Sequence, residues 1–477
     1  MKKEHIIQST ISNISEDIET ETISPVEIME VMLERISELD PKINSYITIN
    51  EKNSLKEAKE AKRMISEGKR KSRIHGIPIA VKDLIDTKEI YTTYGSKIFR
   101  TNIPSHDATV ITKLKEKGAI IIGKTNLHEL AYGFTNENPH YGTSKNPWSI
   151  KRIAGGSSGG SAAAVSASLC FGALGTDTGG SIRVPSSFCG VVGLKPTYGR
   201  VSRNGVNTLS WSLDHVGPIT KTVMDSAILL EAISGHDAKD QTTSRRQTED
   251  YVSNISADLS GIKMGYISEI INNEYIDISV KRKFEDAIKV FEKIGMVVEE
   301  ISMPWIKHGR TVGGTIIQSE ASFHLWPLVE NQLESIGTDV RRKLEMGRII
   351  TASDYMQSQK IRGLLIEDID SLFKEYKLLF SPTTPIIAPE IGTSEMFTET
   401  GSGIDINVIL GTFTTPFNMI GVPTISIPCG FSESNMPIGM QIAGNRFEER
   451  LVLNAAYAYE NNTLHHLKTP DITAMNS

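Results

Sequence analysis

The sequence predicts an α/β fold in one large domain, and three features carry that prediction. From Gly76 onward, short β-branched runs such as IPIAV (77–81) and AIII (119–122) alternate with helical stretches, the texture of strands interleaved with helices. The same alternation returns in the second half, in IKMGYI (262–267), MVVEEISMP (296–304), LLFSPTTP (378–385) and TISIPCG (424–430). Finally, 477 residues that are 39% hydrophobic and 23% charged have the balance of a folded enzyme with a large core.

The elements follow in order. Ser24-Pro25-Val26-Glu27 reads as a capping box with proline at the first helical position, and Ile28, Val31, Met32 and Ile36 continue a helical apolar stripe. The segment 55–67 is helical and densely charged, a solvated face. Residues 1–70 thus form a helical N-terminal segment. A core follows from about 76 to 220, in which 153–205 becomes rich in Gly, Ser and Ala, a sign of tight turns and close backbone approach. The polar stretch 241–258 is expected to be an exposed excursion, not a domain boundary. A helix over 280–294 and the strands named above make 260–470 the completing half of the same sheet and of the substrate pocket. No internal repeat or low-complexity tract is evident.

A net charge of −6 gives no electrostatic reason to expect direct nucleic-acid binding. Cys170, Cys189 and Cys429 lie in apolar or small-residue surroundings without metal-ligand spacing, and are expected to be buried, reduced thiols. The N-terminus lacks the apolar region of a signal peptide, and no run approaches the ~20 apolar residues of a membrane span. A cytoplasmic enzyme without membrane association is the expectation.

Gly118-Ala-Ile-Ile-Ile-Gly123-Lys124-Thr125 matches the phosphate-loop pattern, but its four spacer residues are themselves a strand, and three isoleucines favour a buried sheet over an anion cradle. Gly155-Gly156-Ser157-Ser158-Gly159-Gly160 contains no G-x-G-x-x-G, so a dinucleotide site drops out. This segment and Gly175-Thr176-Asp177-Thr178-Gly179-Gly180-Ser181-Ile182-Arg183 each set serine among glycines. Such a loop lets a carbonyl approach the backbone and lets N–H groups converge on an oxyanion, although either loop alone is equally a plain turn.

A serine nucleophile needs a proton acceptor. His140 and His215 occupy polar, turn-like contexts with no particular tie to the glycine segments, and His128 reads as a surface residue of a helix. The elbow pattern at Ser157 and Ser158 does not follow a buried strand. Lys82 remains, at the end of the apolar run 77–81, where burial lowers an ammonium's pKa from its usual ~10.4 towards neutrality. Taken alone, a lysine after a strand is more often a surface residue.

Together these residues resemble the amidase signature family. GIPIAVKDLIDT (76–87) is similar to its lysine motif; GGSSGGSAAAVSA (155–167) and ALGTDTGGSIRVPSSFCGVVGLKPTYGRVS (173–202) resemble its glycine–serine signature. The spacing of Ser157 and Ser181, 24 residues (181 − 157), also matches. The likeness extends to SLDHVGPIT (212–220), SPTTPIIAP (381–389) and TPFNMIGVPTISIPCG (415–430). It implies a central mixed β-sheet with helices on both faces and a Ser-cisSer-Lys triad. Ser181 would be the nucleophile, Ser157 with its cis peptide the bridge, and Lys82 the base. The backbone N–H groups of Thr178, Gly179, Gly180 and Ser181 would form the oxyanion hole, with Ser158, Asp177 and Arg183 in support. The chemistry implied is hydrolysis of a carboxamide through an acyl-serine, with neither metal nor cofactor.

Within the family the main rival to a stand-alone amidase is the A subunit of the tRNA-dependent amidotransferase, which releases ammonia from glutamine within a multisubunit complex. There, an aspartate five residues before the proline of T-x-P-x-N, paired with an upstream arginine, recognises the amino-acid part of glutamine. Here Thr414-Thr415-Pro416-Phe417-Asn418 puts Gly411 at that place, Asp405 is displaced, and the region of Arg341, Arg342 and Lys343 leaves the arginine ambiguous. A stand-alone amidase acting on a small-molecule amide is therefore favoured, with a homodimer as a candidate assembly. Tyr132, Gly133, Phe134 and Thr135, together with C-terminal segments, are expected to line the substrate pocket.

Overall fold

Strands from both halves of the chain meet in one sheet. In the computed structural model, which describes residues 2–397 and 403–472, eleven strands run in the order 46–49, 120–125, 78–82, 172–177, 215–220, 192–195, 424–431, 437–444, 378–382, 263–267, 297–301. Pro78–Lys82 lies parallel to both Ile120–Thr125 and Gly172–Asp177. Pairing becomes antiparallel through the middle of the sheet, and turns parallel again where Lys263–Ile267 sits between Leu378–Pro382 and Val297–Ile301. The halves join at Val192–Lys195 against Thr424–Phe431. The architecture is thus a single α/β domain with a mixed sheet flanked by helices, as the sequence predicts.

Local signals explain the elements. Helix Pro25–Ile43 carries the capping box: Glu27 N–H donates to Ser24 Oγ and Ser24 N–H to Glu27 Oε2. It buries Ile28, Met32, Ile36, Leu39 and Ile43 at helical spacing and ends on Asn44 in the left-handed region. Helix Glu51–Ser66 buries only Ser54, Ala58 and Ala61 and turns its charges outward. The phosphate-loop lookalike is indeed a fully buried strand, Ile120–Thr125. Its Lys124 Nζ donates to Ile85 O and Thr92 Oγ1, both at 2.7 Å, and faces Asp83 at 3.2 Å. The three cysteines are buried and free, and burial pushes the Cys170 and Cys429 thiols up to about 12.

The stretch 241–258 is the largely exposed excursion the sequence predicts, pinned to the body at a few points. It runs as turns and loops but is stitched down: Tyr251 is buried, its N–H donates to Glu231, and the neighbouring Asp240 accepts the Arg203 N–H. Polar composition there reflects hydrogen-bonded turns. No helix among the described residues is long and apolar enough to cross a membrane.

The second half is held by a knot of aromatic rings. Phe380 is fully buried, with ring centroids 4.8 Å from Phe284, 5.4 Å from Phe291 and 6.2 Å from Tyr266. Phe380→Ala is therefore expected to lower unfolding free energy by about 3–5 kcal/mol through lost contacts and a residual cavity, measurable by denaturant titration of the full chain.

Candidate functional site

The three parallel strands 78–82, 120–125 and 172–177 end on the same side of the sheet, where α/β proteins place their ligands. Lys82 is the last residue of the first and Asp177 the last of the third. Lys82 is fully buried; its Nζ lies 2.7 Å from Ser157 Oγ and 2.7 Å from Thr176 Oγ1. Burial pushes its pKa down to about 7, against the smaller upward pull of Asp177 and Asp214. A serine hydroxyl thus faces an amine that is substantially neutral near pH 7.

Ser157 follows a cis Gly156–Ser157 peptide bond, and its carbonyl accepts the N–H of His128 at 3.1 Å. Ser158 begins the helix Gly159–Ser166; its hydroxyl donates to Thr176 O and accepts from Thr176 N–H, while its own N–H donates to Ser181 O. These bonds staple the two glycine–serine segments together. Ser181 lies in the turn between Gly172–Asp177 and the helix Arg183–Cys189, buried yet bordering a pocket. Among the described residues Ser181 Oγ has no hydrogen-bond partner, so the Lys82–Ser157 contact is formed and a Ser157–Ser181 hydrogen bond is not.

The turn 178–181 is held by its surroundings. Gly180 has φ +139°, and a Cβ there would collide with Thr414 Oγ1, so this position requires glycine. Thr414 and Thr415 hydroxyls donate to Gly179 O at 2.6 and 3.1 Å, and Thr178 Oγ1 donates to Asp214 at 2.6 Å. Among the described residues the N–H groups of Gly179, Gly180 and Ser181 have no acceptor, which leaves them free for a ligand oxygen.

Asp177 and Arg183 form a fully buried pair, Arg183 Nη2 to Asp177 Oδ1 at 3.1 Å and Nε to Oδ2 at 3.1 Å. Burial alone would raise the Asp177 carboxyl, but the guanidinium outweighs it and holds the group below the usual carboxylate range. Asp177 Oδ2 also accepts the N–H groups of Ile182 and Arg183, fixing the start of the helix after Ser181.

A small pocket, with a cavity volume of about 70 Å³, opens before Ser181. Tyr132, Gly133 and Phe134 line it as expected, with Thr178 and Gly179. Thr135 does not; its hydroxyl accepts the Glu137 N–H instead, because the chain turns away at this point. The second half contributes Arg310, Gly314, Ile317 and Gln318 of helix Gly309–Val329, with Lys343 and Asn407. The sequence around Arg310 and Gln318 does not reveal their place, because a helix whose Arg310 lies 129 residues beyond Ser181 (310 − 181) carries no local signal of where it docks.

Two histidines differ from expectation. His128 is buried, its Nε2 3.2 Å from Asp339 and its Nδ1 accepting the Asn136 N–H. His215 pairs in register with Asp177 and is therefore tied to the glycine segment; burial, then nearby Lys195, keeps its pKa well below the usual range. Among the described residues, no group of three or more His, Cys, Asp or Glu side chains is arranged to hold a metal ion.

The fold and this pocket define an α/β enzyme that hydrolyses amides. The chain belongs to the amidase signature family: the family model Amidase matches residues 27–453. It is 40% identical to the glutamyl-tRNA(Gln) amidotransferase A subunit of Halothermothrix orenii, over 94% of this chain and 96% of that protein. Among solved structures, it is similar to the glutamyl-tRNA(Gln) amidotransferase A subunit of Thermotoga maritima (35% identity, TM-score 0.83, 98% of each chain). The native peptide amidase of Stenotrophomonas maltophilia is also similar (27%, TM-score 0.83, 95% of this chain and 97% of that one).

The pair Asp177–Arg183 sets a test of stability. Arg183→Met leaves a buried carboxylate uncompensated and is expected to cost about 3–5 kcal/mol. The Lys82 shift sets a second. Between about pH 7, its folded value, and ~10.4, its unfolded value, the unfolded chain holds a proton that the folded chain has released. The contribution of Lys82 to stability is thus full above the upper limit and is lost as pH falls through the lower one. From pH 7 to pH 9, urea unfolding should show the wild type gaining stability relative to Lys82→Met.

Proposed function

We propose that this chain is a stand-alone amidase that cleaves a carboxamide through an acyl-serine, with Ser181 as nucleophile, Ser157 as relay and Lys82 as base. The observation that carries the reading is the buried Lys82, its pKa lowered to about 7, 2.7 Å from Ser157 Oγ. Neutral Lys82 takes the Ser157 proton as Ser157 takes that of Ser181, whose Oγ attacks the carbonyl carbon. A Ser181–Ser157 hydrogen bond completes the path in the reacting complex, since such bonds tighten once substrate is bound. The N–H groups of Thr178, Gly179, Gly180 and Ser181 receive the oxyanion. Collapse breaks the C–N bond, and the leaving nitrogen takes the relayed proton. Water then attacks the acyl ester by the reverse path, releasing a carboxylate and restoring the Ser181 hydroxyl. Ser158, Asp177 and Arg183 hold the two serine loops in register.

The second reading, an amidotransferase A subunit, is favoured by the 40% identity to relatives of that name. Position 411 favours the first: it borders Phe134 and Arg310 at the pocket, and it is glycine. Ammonia release from aliphatic and aryl amides by the isolated chain supports a stand-alone amidase; glutaminase activity that appears only with partner subunits supports the alternative.

Ser181→Ala is expected to abolish turnover, by 10³-fold or more on the order of other nucleophile removals, with an unchanged melting profile. Lys82→Ala should be nearly as damaging. In the wild type, kcat/KM should rise with pH through about 7 as Lys82 loses its proton; a profile flat from pH 6 to 8 would remove Lys82 from the proposed role.

A further inference from the structure

We infer that the pocket recognises a carboxylate on the acyl part of the substrate, with Arg310 as its anchor, so that the preferred amides are monoamides of short dicarboxylic acids without an α-ammonium group. This rests on the proposed acyl-serine reading, because it assigns the far end of the same pocket. The first observation is charge. Arg310 and Lys343 both line the pocket, and none of its lining residues is Asp or Glu. Lys343 is matched elsewhere: its Nζ donates to Asp339 at 2.7 Å and to Tyr132 O at 3.0 Å. Arg310 forms no ion pair among the described residues. Its polar contact is Nη2 to Asn407 O at 3.4 Å, beside a 5.9 Å approach to the Phe134 ring.

The second observation is unmet hydrogen bonding. Arg310 Nε and Tyr132 Oη are sealed from solvent, and neither has a partner among the described residues. Buried donors are ordinarily satisfied, and a guanidinium matches a carboxylate with two parallel hydrogen bonds. Two orphan donors among the residues of one pocket therefore fit a ligand that brings acceptors and negative charge.

The third is space. A Cβ at Gly314 would stand 3.1 Å from Arg310 Nη1, and one at Gly411 would stand 3.0 Å from Nε and 2.8 Å from the Phe134 ring. Both glycines let the guanidinium pack against bare backbone, where a side chain would crowd it. A carboxylate side chain at 411 would answer Arg310 at close range from within the protein; with glycine there, Asp405 acts on the guanidinium without forming an ion pair, and its donors stay open to a ligand. With no lining carboxylate, the pocket offers an α-ammonium group no opposite charge beside two cations, and a zwitterionic amino-acid amide is disfavoured.

The test compares glutaramate and succinamate with valeramide and butyramide, uncharged amides of the same chain lengths, and with glutamine. The full-length wild type should favour the carboxylated amides in kcat/KM by roughly 10- to 100-fold, the range of a charged hydrogen bond, and should also favour them over glutamine. Arg310→Met should collapse the ratio of carboxylated to uncharged amide towards unity. Gly411→Asp, which keeps Arg310 but supplies an internal carboxylate, should lower the same ratio. Binding of glutaramate and valeramide to Ser181→Ala, measured by calorimetry, reads the preference without turnover. If no amide is cleaved yet glutaramate still binds selectively and Arg310→Met abolishes that selectivity, the acyl-serine reading fails and the anion site stands. Equal binding and cleavage of charged and uncharged amides, or a ratio unmoved in both variants, overturns it.

Discussion

The buried Asp177–Arg183 pair is the constraint on which the site is built. Asp177 ends a central strand, and Arg183 begins the helix after the serine turn, so the pair spans the turn that holds Ser181. A buried ion pair is weak evidence of stability in itself, because desolvation offsets much of the attraction. Its value here lies in the partners it collects. Arg183 donates to Gln441 Oε1 at 2.8 Å, Asn418 Oδ1 at 2.6 Å and Thr414 O at 3.1 Å, and Asn418 Nδ2 returns to Asp177 at 2.8 Å. Every one of those partners comes from the second half of the chain. The serine turn is therefore positioned only when both halves have closed on one sheet, and the fully satisfied network is what makes two buried charges tolerable.

The same closure explains the electrostatics of Lys82. An ammonium sealed at a strand end loses its hydration, and two buried carboxylates, Asp177 and Asp214, only partly restore its charge. Each is already engaged. Asp177 is committed to Arg183, and Asp214 accepts the Thr178 hydroxyl and the N–H groups of Leu209 and Ser210. Because the acids are occupied by structural duties, the lysine stays near neutrality with hydroxyls as its neighbours. Structural satisfaction of the carboxylates and poise of the amine are one arrangement.

How much of this is legible in the sequence depends on whether the signal is local. The strand before Lys82 and the capping box at Ser24 follow from short-range rules, and the structure agrees with each. The strand character of 120–125 follows from its isoleucines, whatever motif it happens to match. What the residues alone do not disclose is long-range: that Thr176 is the second neighbour of Lys82, that His215 lies beside Asp177, or that His128 is buried rather than on a surface helix. Thr135 illustrates the limit within a single tetrapeptide. Three neighbours line the pocket, and a turn of backbone removes the fourth.

The division of labour along the chain is itself informative. Lys82, Ser157 and Ser181, with the turn 178–181, all lie in the first half, and the second half holds that turn through Thr414 and Thr415. The far wall of the pocket comes from helices Gly309–Val329, Thr338–Ile349 and Ile406–Leu410. Wall residues such as Arg310, Lys343 and Asn407 can change without disturbing the Asp177 network, since none of them bonds to it. Relatives can therefore share 40% of their residues with this chain, and its fold, while presenting a different wall to the acyl group. On the proposed reading, position 411 bears on substrate more directly than overall identity does, because it borders Phe134 and Arg310 at the pocket.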